Sequence, residues 1–207
     1  MMHGRGLKWW LLSAVLLMSA GCGGGQSRLA APGVAGDASE AAIAKYDNDG
    51  DGAIGGNELD LCPALKSSLK RADQDGDGKI SAAEIDERIA VWKKSGLALT
   101  RLAVTVKQNG QPVTDAEVTF VPEDFLGTGI KQAQGTTDAD GVAHMRISDD
   151  PDEAGVHLGY YRVEVSKIQP SGKESLPARN NAKTEHGVEV APDDPSLSGI
   201  TLNVLSD

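Results

Sequence analysis

Apolar positions along this chain follow three different rhythms. Trp9 to Met18 is a mostly apolar run of ten residues, too short to span a bilayer as a helix. Between residues 38 and 96 the spacing is helical. Ile43 and Tyr46 lie three apart, and Ile85, Ile89 and Trp92 form a second stripe. From Leu99 onward the period is two, in Leu102, Val104, Val106 and in Ala116, Val118, Phe120. The pattern therefore predicts a leader, a helical segment and a β-rich segment.

The ends of the helices can be read from their flanks. Asp37 followed by Glu40 predicts a capping-box-like start for a short helix. Lys93 and Lys94 in a last turn, then Gly96, predict where the last helix stops. Pro63 suits the first position of a middle helix, which leaves about one turn of helix before it.

Two twelve-residue runs interrupt these helices, Asp47–Glu58 and Asp73–Glu84. Each fits a loop with oxygen ligands at positions 1, 3, 5, 7, 9 and 12 and glycine at position 6. In the first, Asp47, Asp49 and Asp51 supply carboxylates, Ala53 a backbone carbonyl and Glu58 a closing carboxylate. Position 9 is Gly55, so a water is expected in that corner. In the second, Asp73, Asp75, Asp77 and Glu84 repeat the carboxylates, Lys79 the carbonyl, and Ser81 fills position 9. Hard oxygen donors in this number, with a bidentate glutamate at position 12, favour calcium over magnesium. Ile54 and Ile80 both occupy position 8, where paired loops of this kind join through a short antiparallel strand. The segment resembles an EF-hand pair, and its 14-residue connection, Leu59 to Ala72, is similar to the compressed pairs of bacterial extracytoplasmic EF-hand proteins. Asp138-Ala139-Asp140-Gly141 is no third loop. Aligned on Gly141, it puts Thr136 at position 1 and Ile147 at position 12, and a hairpin turn is expected there.

Beyond Leu99, Asn109-Gly110 marks a turn, and Lys131–Thr137 and Val142–Ile147 flank the Asp138–Gly141 turn. Tyr161, Val163 and Val165, then Val188 and Val190, then Ile200, Leu202 and Val204 mark further strands. About seven short strands without helical periodicity predict an antiparallel Greek-key β-sandwich. The run from Gly110 to Pro122 resembles the opening of carboxypeptidase-regulatory-like, transthyretin-like domains. The similarity continues through Thr137–Gly141, Gly159–Lys167 and Leu176–Asn181. It implies a transthyretin-like fold used for binding or structure, and it specifies function poorly. The expected organisation is a signal peptide (1–21), a flexible tether (22–37), an EF-hand pair (38–96) and a sandwich (97–207), an α + β two-domain chain.

Composition sharpens the setting. The net charge is −10, from 30 acidic and 20 basic residues, and without Arg5 and Lys8 of the leader it is −12. Nucleic acid as a partner is thereby disfavoured. Aromatic residues make up only 4%, so cores must rest on Val, Ile, Leu and Ala. His3, Arg5 and Lys8, the apolar run, and Ser19-Ala20-Gly21 before Cys22 form the three parts of an export signal. The last four resemble a bacterial lipobox, which implies acylation of Cys22 and a membrane anchor in the cell envelope. Ordinary signal-peptidase cleavage at the same small residues would leave a soluble extracytoplasmic protein. Residues 23–37, rich in Gly and Ala, read as the tether. The second cysteine, Cys62, sits in an apolar stretch and reads as a small buried hydrophobe.

Catalytic motifs are missing. His144, His157 and His186 show no metal spacing, and no H-E-x-x-H, G-x-S-x-G or Walker loop occurs. Ser67-Ser68-Leu69-Lys70 matches S-x-x-K, but on an expected solvated helix face. The chain is expected not to be an enzyme. Its expected role is that of a calcium-binding, envelope-anchored protein with a structural or adhesion module for an envelope protein or glycan. The alternatives are a calcium-responsive sensor for a protein partner and an accessory carbohydrate- or peptide-binding domain of an enzyme system. Against a sensor, Met145 is the only methionine outside the leader and it is not in the loops.

Overall fold

The computed structural model describes Met1, residues 33–149 and residues 154–205. The leader, Cys22 and most of the tether lie outside the described residues. No helix among the described residues is long and apolar enough to cross a membrane.

The helical segment begins with α1 (Ala38–Tyr46) and the three-residue strand β1 (Ala53–Gly55). A six-residue 3-10 helix, Gly56–Leu61, follows before α2 (Pro63–Ala72). Strand β2 (Lys79–Ser81) and α3 (Ala82–Ser95) complete it. Pro63 opens α2, and α3 stops at Gly96 with φ 65°, the left-handed cap that a side chain would oppose. Asp37 departs from expectation. It stands at the N-cap of α1 without a side-chain capping bond, and Glu40 accepts the Ser39 hydroxyl in place of the cap's amide. Strands β1 and β2 pair antiparallel with Ile54 opposite Ile80, and both side chains are fully buried.

Nine further strands follow among the described residues. Strands β3 (Ala103–Gln108) and β4 (Gln111–Pro112) enclose the Asn109-Gly110 turn, where both residues have positive φ as the tight turn requires. Next come β5 (Glu117–Pro122), β6 (Ala133–Thr136), β7 (Val142–His144) and β8 (Arg146–Ile147). The last three are β9 (Gly159–Ser166), β10 (Gly187–Val190) and β11 (Ile200–Asn203). One sheet runs β10-β9-β5-β6-β8, and the other runs β11-β3-β4 with β7 also paired to β3. Val104 and Val106 of β3, Leu202 of β11, Phe120 of β5 and Val163 of β9 belong to one continuous core.

Two expectations are corrected. The Asp138–Gly141 turn does not close a hairpin within one sheet. Strand β6 pairs with β8 while β7 pairs with β3, so the turn carries the chain from one sheet to the other and the chain returns at Met145. Nor are the sheets antiparallel throughout, since β11 runs parallel to β3 with Ile200 opposite Val104. The chain leaves β10 at one sheet's edge, turns through Pro195–Ser198 and enters the other sheet, and that crossover permits a parallel pairing.

The helices cover the outer face of the five-stranded sheet. Along β9, Tyr161, Val163 and Val165 turn to one face, yet Tyr160 on the opposite face is also fully buried. Its ring meets Trp92 of α3 edge-on at 4.9 Å and Phe125 at 6.0 Å. Helix α2 lies so close to β10 that a Cβ on Gly187 would stand 2.1 Å from the carbonyl carbon of Pro63 and 2.2 Å from the amide nitrogen of Ala64. A second seam joins α1 to the segment after β5. Tyr46 donates its hydroxyl proton to the fully buried Glu123 (2.8 Å), and Lys45 pairs with Asp124 (2.9 Å).

Burial pushes the Glu123 carboxyl above the usual carboxylate range, against the opposing Tyr46 hydrogen bond. Its Oε1 lacks a hydrogen-bond partner of good geometry. The same enclosure pushes the Cys62 thiol up to about 12, burial acting first and the Glu123 charge second, so this cysteine is an inert part of the seam.

Gly187→Ala must lift α2 off β10, and a loss of about 1–3 kcal/mol in urea unfolding is expected. For Glu123 the folded state keeps a proton that the unfolded chain releases. Stability therefore falls as pH rises from about 4.3, the ordinary glutamate value, to the raised folded value. Glu123→Gln cannot ionise and still accepts from Tyr46. Its stability relative to the parent is expected to improve from about pH 4 toward neutrality, and parallel stability curves would contradict this.

Candidate metal centres

Both acidic loops fold by the same local rules. Asp47 at position 1 accepts the amide protons of Gly50 (2.6 Å) and Gly52 (2.9 Å), and Asp73 accepts those of Gly76 (2.7 Å) and Gly78 (2.9 Å). Asp49 and Asp75 at position 3 each accept from the residue at position 5, both at 3.1 Å. Asp51 and Asp77 at position 5 accept from position 7, at 3.0 and 2.8 Å. Gly52 and Gly78 take φ of 91° and 82°, which lets the chain reverse around the carboxylates. The sequence supplies its own turns here, because short acidic side chains bond to amides two to five residues ahead.

Glutamate at position 12 closes each loop. Glu58 Oε1 accepts the Asn48 amide (2.6 Å), and Oε2 accepts the Gly55 amide (2.9 Å). Glu84 Oε1 accepts the Gln74 amide (2.8 Å), and Oε2 accepts the Ser81 amide (2.8 Å) and hydroxyl (2.9 Å). The amides of Gly55 and Asn48 hold Glu58 below the usual carboxylate range. Burial opposes ionisation of Glu84, but its bonds from Ser81 and Gln74 more than offset this and hold it low as well.

The carboxylates converge accordingly. Asp47, Asp49 and Glu58 bring oxygens within 4.8 Å of one another, and Asp73, Asp75 and Glu84 do the same. These are the acidic groupings of metal-binding geometry among the described residues, and neither includes Asp138 or Asp140. Three converging carboxylates per loop, with Ala53 and Lys79 at the starts of β1 and β2, fit a hard divalent cation. Three expected side-chain ligands stand outside the groupings, Asp51, Asp77 and Ser81. Asp77 accepts the Lys79 amide. Asp51 is ion-paired to the Lys79 ammonium. Ser81 caps α3, with its hydroxyl bonded to Glu84.

Reading ligand positions alone misses what holds the loops in place. Glu189 on β10 is fully buried, and its side chain shares the helix-covered face with Tyr160 opposite it. Arg88 Nε donates to Glu189 Oε1 (2.8 Å), as does the Trp92 indole (3.0 Å), while Arg71 Nε donates to Oε2 (3.1 Å). Arg88 also grips Asp193 through two bonds of 2.8 Å, and Arg71 pairs with Asp194 (2.9 Å). Arg71 precedes the first ligand of the second loop by two residues, and Arg88 follows the last by four. Both ends of that loop are thus tied to one carboxylate. The sequence signal is thin, since a glutamate between two valines reads as an outward strand position.

The remaining motifs are structural in place. Ser67 and Ser68 donate to the Ala64 and Leu65 carbonyls of their own helix, and Ser68 is buried, not on a solvated face. His157 bonds the Ala98 carbonyl (2.9 Å) and His186 the Asn180 side chain (3.0 Å).

Removing one member of a buried ion network strands the others. Glu189→Ala leaves Arg71 and Arg88 without their shared anion, and a loss of about 3–5 kcal/mol in denaturant unfolding is expected.

A family model described as EF hand matches residues 65–87, which span most of α2, the second loop and the first turns of α3. No curated protein and no solved structure matches the chain. The chain carries an EF-hand region whose acidic loop has the donor set for calcium, and a second acidic cluster of the same kind lies beside it.

Proposed function

We propose that this protein is a non-catalytic, calcium-stabilised module in which both loops bind calcium as a standing structural ion. One observation carries the reading. The helices on either side of the second loop converge on the buried Glu189 through Arg71, Arg88 and Trp92. A sensor works by swinging its exiting helix to expose an apolar groove. Here that motion would break the guanidinium contacts of Arg88 and expose Trp92, so calcium has a fixed frame to complete. The family match at residues 65–87 supports the calcium chemistry, and the repeated hydrogen-bond pattern of Asp47–Glu58 supports a second site.

The β-rich half is, in this reading, a transthyretin-like binding or adhesion sandwich for an envelope protein or glycan. The leader pattern and Cys22 support export and lipid anchoring in the cell envelope. An extracytoplasmic setting agrees with weak calcium sites, of order 10⁻⁴–10⁻³ M.

Calorimetric titration and thermal unfolding test the calcium role together. At about 10 mM calcium each such site adds roughly 1–3 kcal/mol of stability, and Glu58→Gln with Glu84→Gln abolishes both binding and the gain. Hydrophobic-dye fluorescence is expected to stay flat or fall on adding calcium. A large calcium-dependent rise would replace the structural role with a sensor's.

A further inference from the structure

The two loops differ in one respect that their ligand patterns hide. The β1–β2 register sets Gly55, position 9 of the first loop, opposite Lys79, position 7 of the second. Because Gly55 has no side chain, the Lys79 stem lies flat across it. A Cβ there would stand 2.7 Å from Lys79 Cγ and 3.2 Å from Cδ. The stem carries the ammonium over to the first loop, where it ion-pairs with Asp51, the carboxylate at position 5. Lys79 also lines the open cleft of about 400 Å³ beside Asp49 and Glu58. The second loop receives no such ion pair, and the Lys79 charge reaches Asp77 only at longer range. The residue corresponding to Lys79 in the first loop is Ala53, opposite Ser81, and it has no cation to send to Asp77.

We propose that the Lys79 ammonium is a built-in competitor for calcium in the first loop, so that the two sites fill in order, second before first. The inference rests on the calcium reading above. A divalent ion needs Asp51 as an oxygen donor, and an ammonium already paired with that carboxylate must leave. Once displaced, it still stands close enough to the ion to oppose it. Lys79 also joins the sites physically, since its carbonyl is the position-7 donor of the second loop while its side chain holds a donor of the first. Calcium in the second loop would fix the Lys79 backbone, and calcium in the first would evict its side chain. The pair is therefore a graded device with one tighter site and one that fills only at higher calcium.

Calorimetric titration of the full chain with calcium tests this. The parent protein is expected to show two unequal sites, with the weaker lost in Glu58→Gln and the tighter lost in Glu84→Gln. Lys79→Met keeps the stem and removes the charge. It is expected to tighten the weaker site by roughly three- to tenfold, the scale of an exposed ion pair with added repulsion, and to leave the tighter one within about twofold. Gly55→Ala adds no ligand, but its Cβ must push the stem away, so it should shift the same site in the same direction. Two sites with Lys79→Met changing neither, or Glu84→Gln abolishing the weaker one, would overturn the inference and leave the calcium reading standing. No calcium uptake by the parent protein would overturn both.

Discussion

The buried carboxylate of Glu189 is the constraint on which the rest of the arrangement depends. An ion of that kind inside a protein is costly unless it is paired and fully hydrogen-bonded, and here two guanidiniums and an indole N–H meet it. The guanidiniums come from α2 and α3, and the carboxylate comes from β10. Satisfying one charge therefore fixes two helices on one sheet. The second loop lies between those helices, so its ligands inherit the position of the sheet. Arg88 is one helical turn beyond Glu84, and neither can move far without the other.

The first loop is held differently. Tyr46, immediately before Asp47, is tied to Glu123, a carboxyl for which burial disfavours the charge. One seam thus rests on a buried ion network, and the other on the Tyr46–Glu123 hydrogen bond with the Lys45–Asp124 pair beside it. Between them sits an aromatic cluster of Tyr46, Phe125, Tyr160 and Trp92, and it uses much of the scarce aromatic content of the chain. The helical segment and the sheets consequently share one apolar core instead of meeting at a thin polar surface.

What could be read from sequence was local. The paired isoleucines at position 8, Pro63 opening a helix and Gly96 closing one all follow from neighbours within a few residues, and the structure places each as expected. Of the acidic residues singled out in the loops, it brings together Asp47, Asp49 and Glu58, and Asp73, Asp75 and Glu84. What could not be read was set by distant partners. Tyr160 and Glu189 alternate out of phase with the inner residues of their strands, which ordinarily means solvent, and only the helices lying over that face make them buried. The parallel pairing of β11 with β3 depends on which sheet the chain enters after β10, and no residue of β11 encodes that choice. Lys79 was legible as a backbone donor, but its side chain acts across the strand pair. That role needs the register and the missing side chain at Gly55 together.

Amide hydrogen exchange of the full chain, in calcium and in chelator, tests the central claim most directly. If calcium completes a frame fixed by Glu189, protection is expected to rise together in α2, α3 and β10, beyond the loops themselves. A rise confined to the loops with β10 unchanged, or a loss of protection in α3 on adding calcium, would contradict the account.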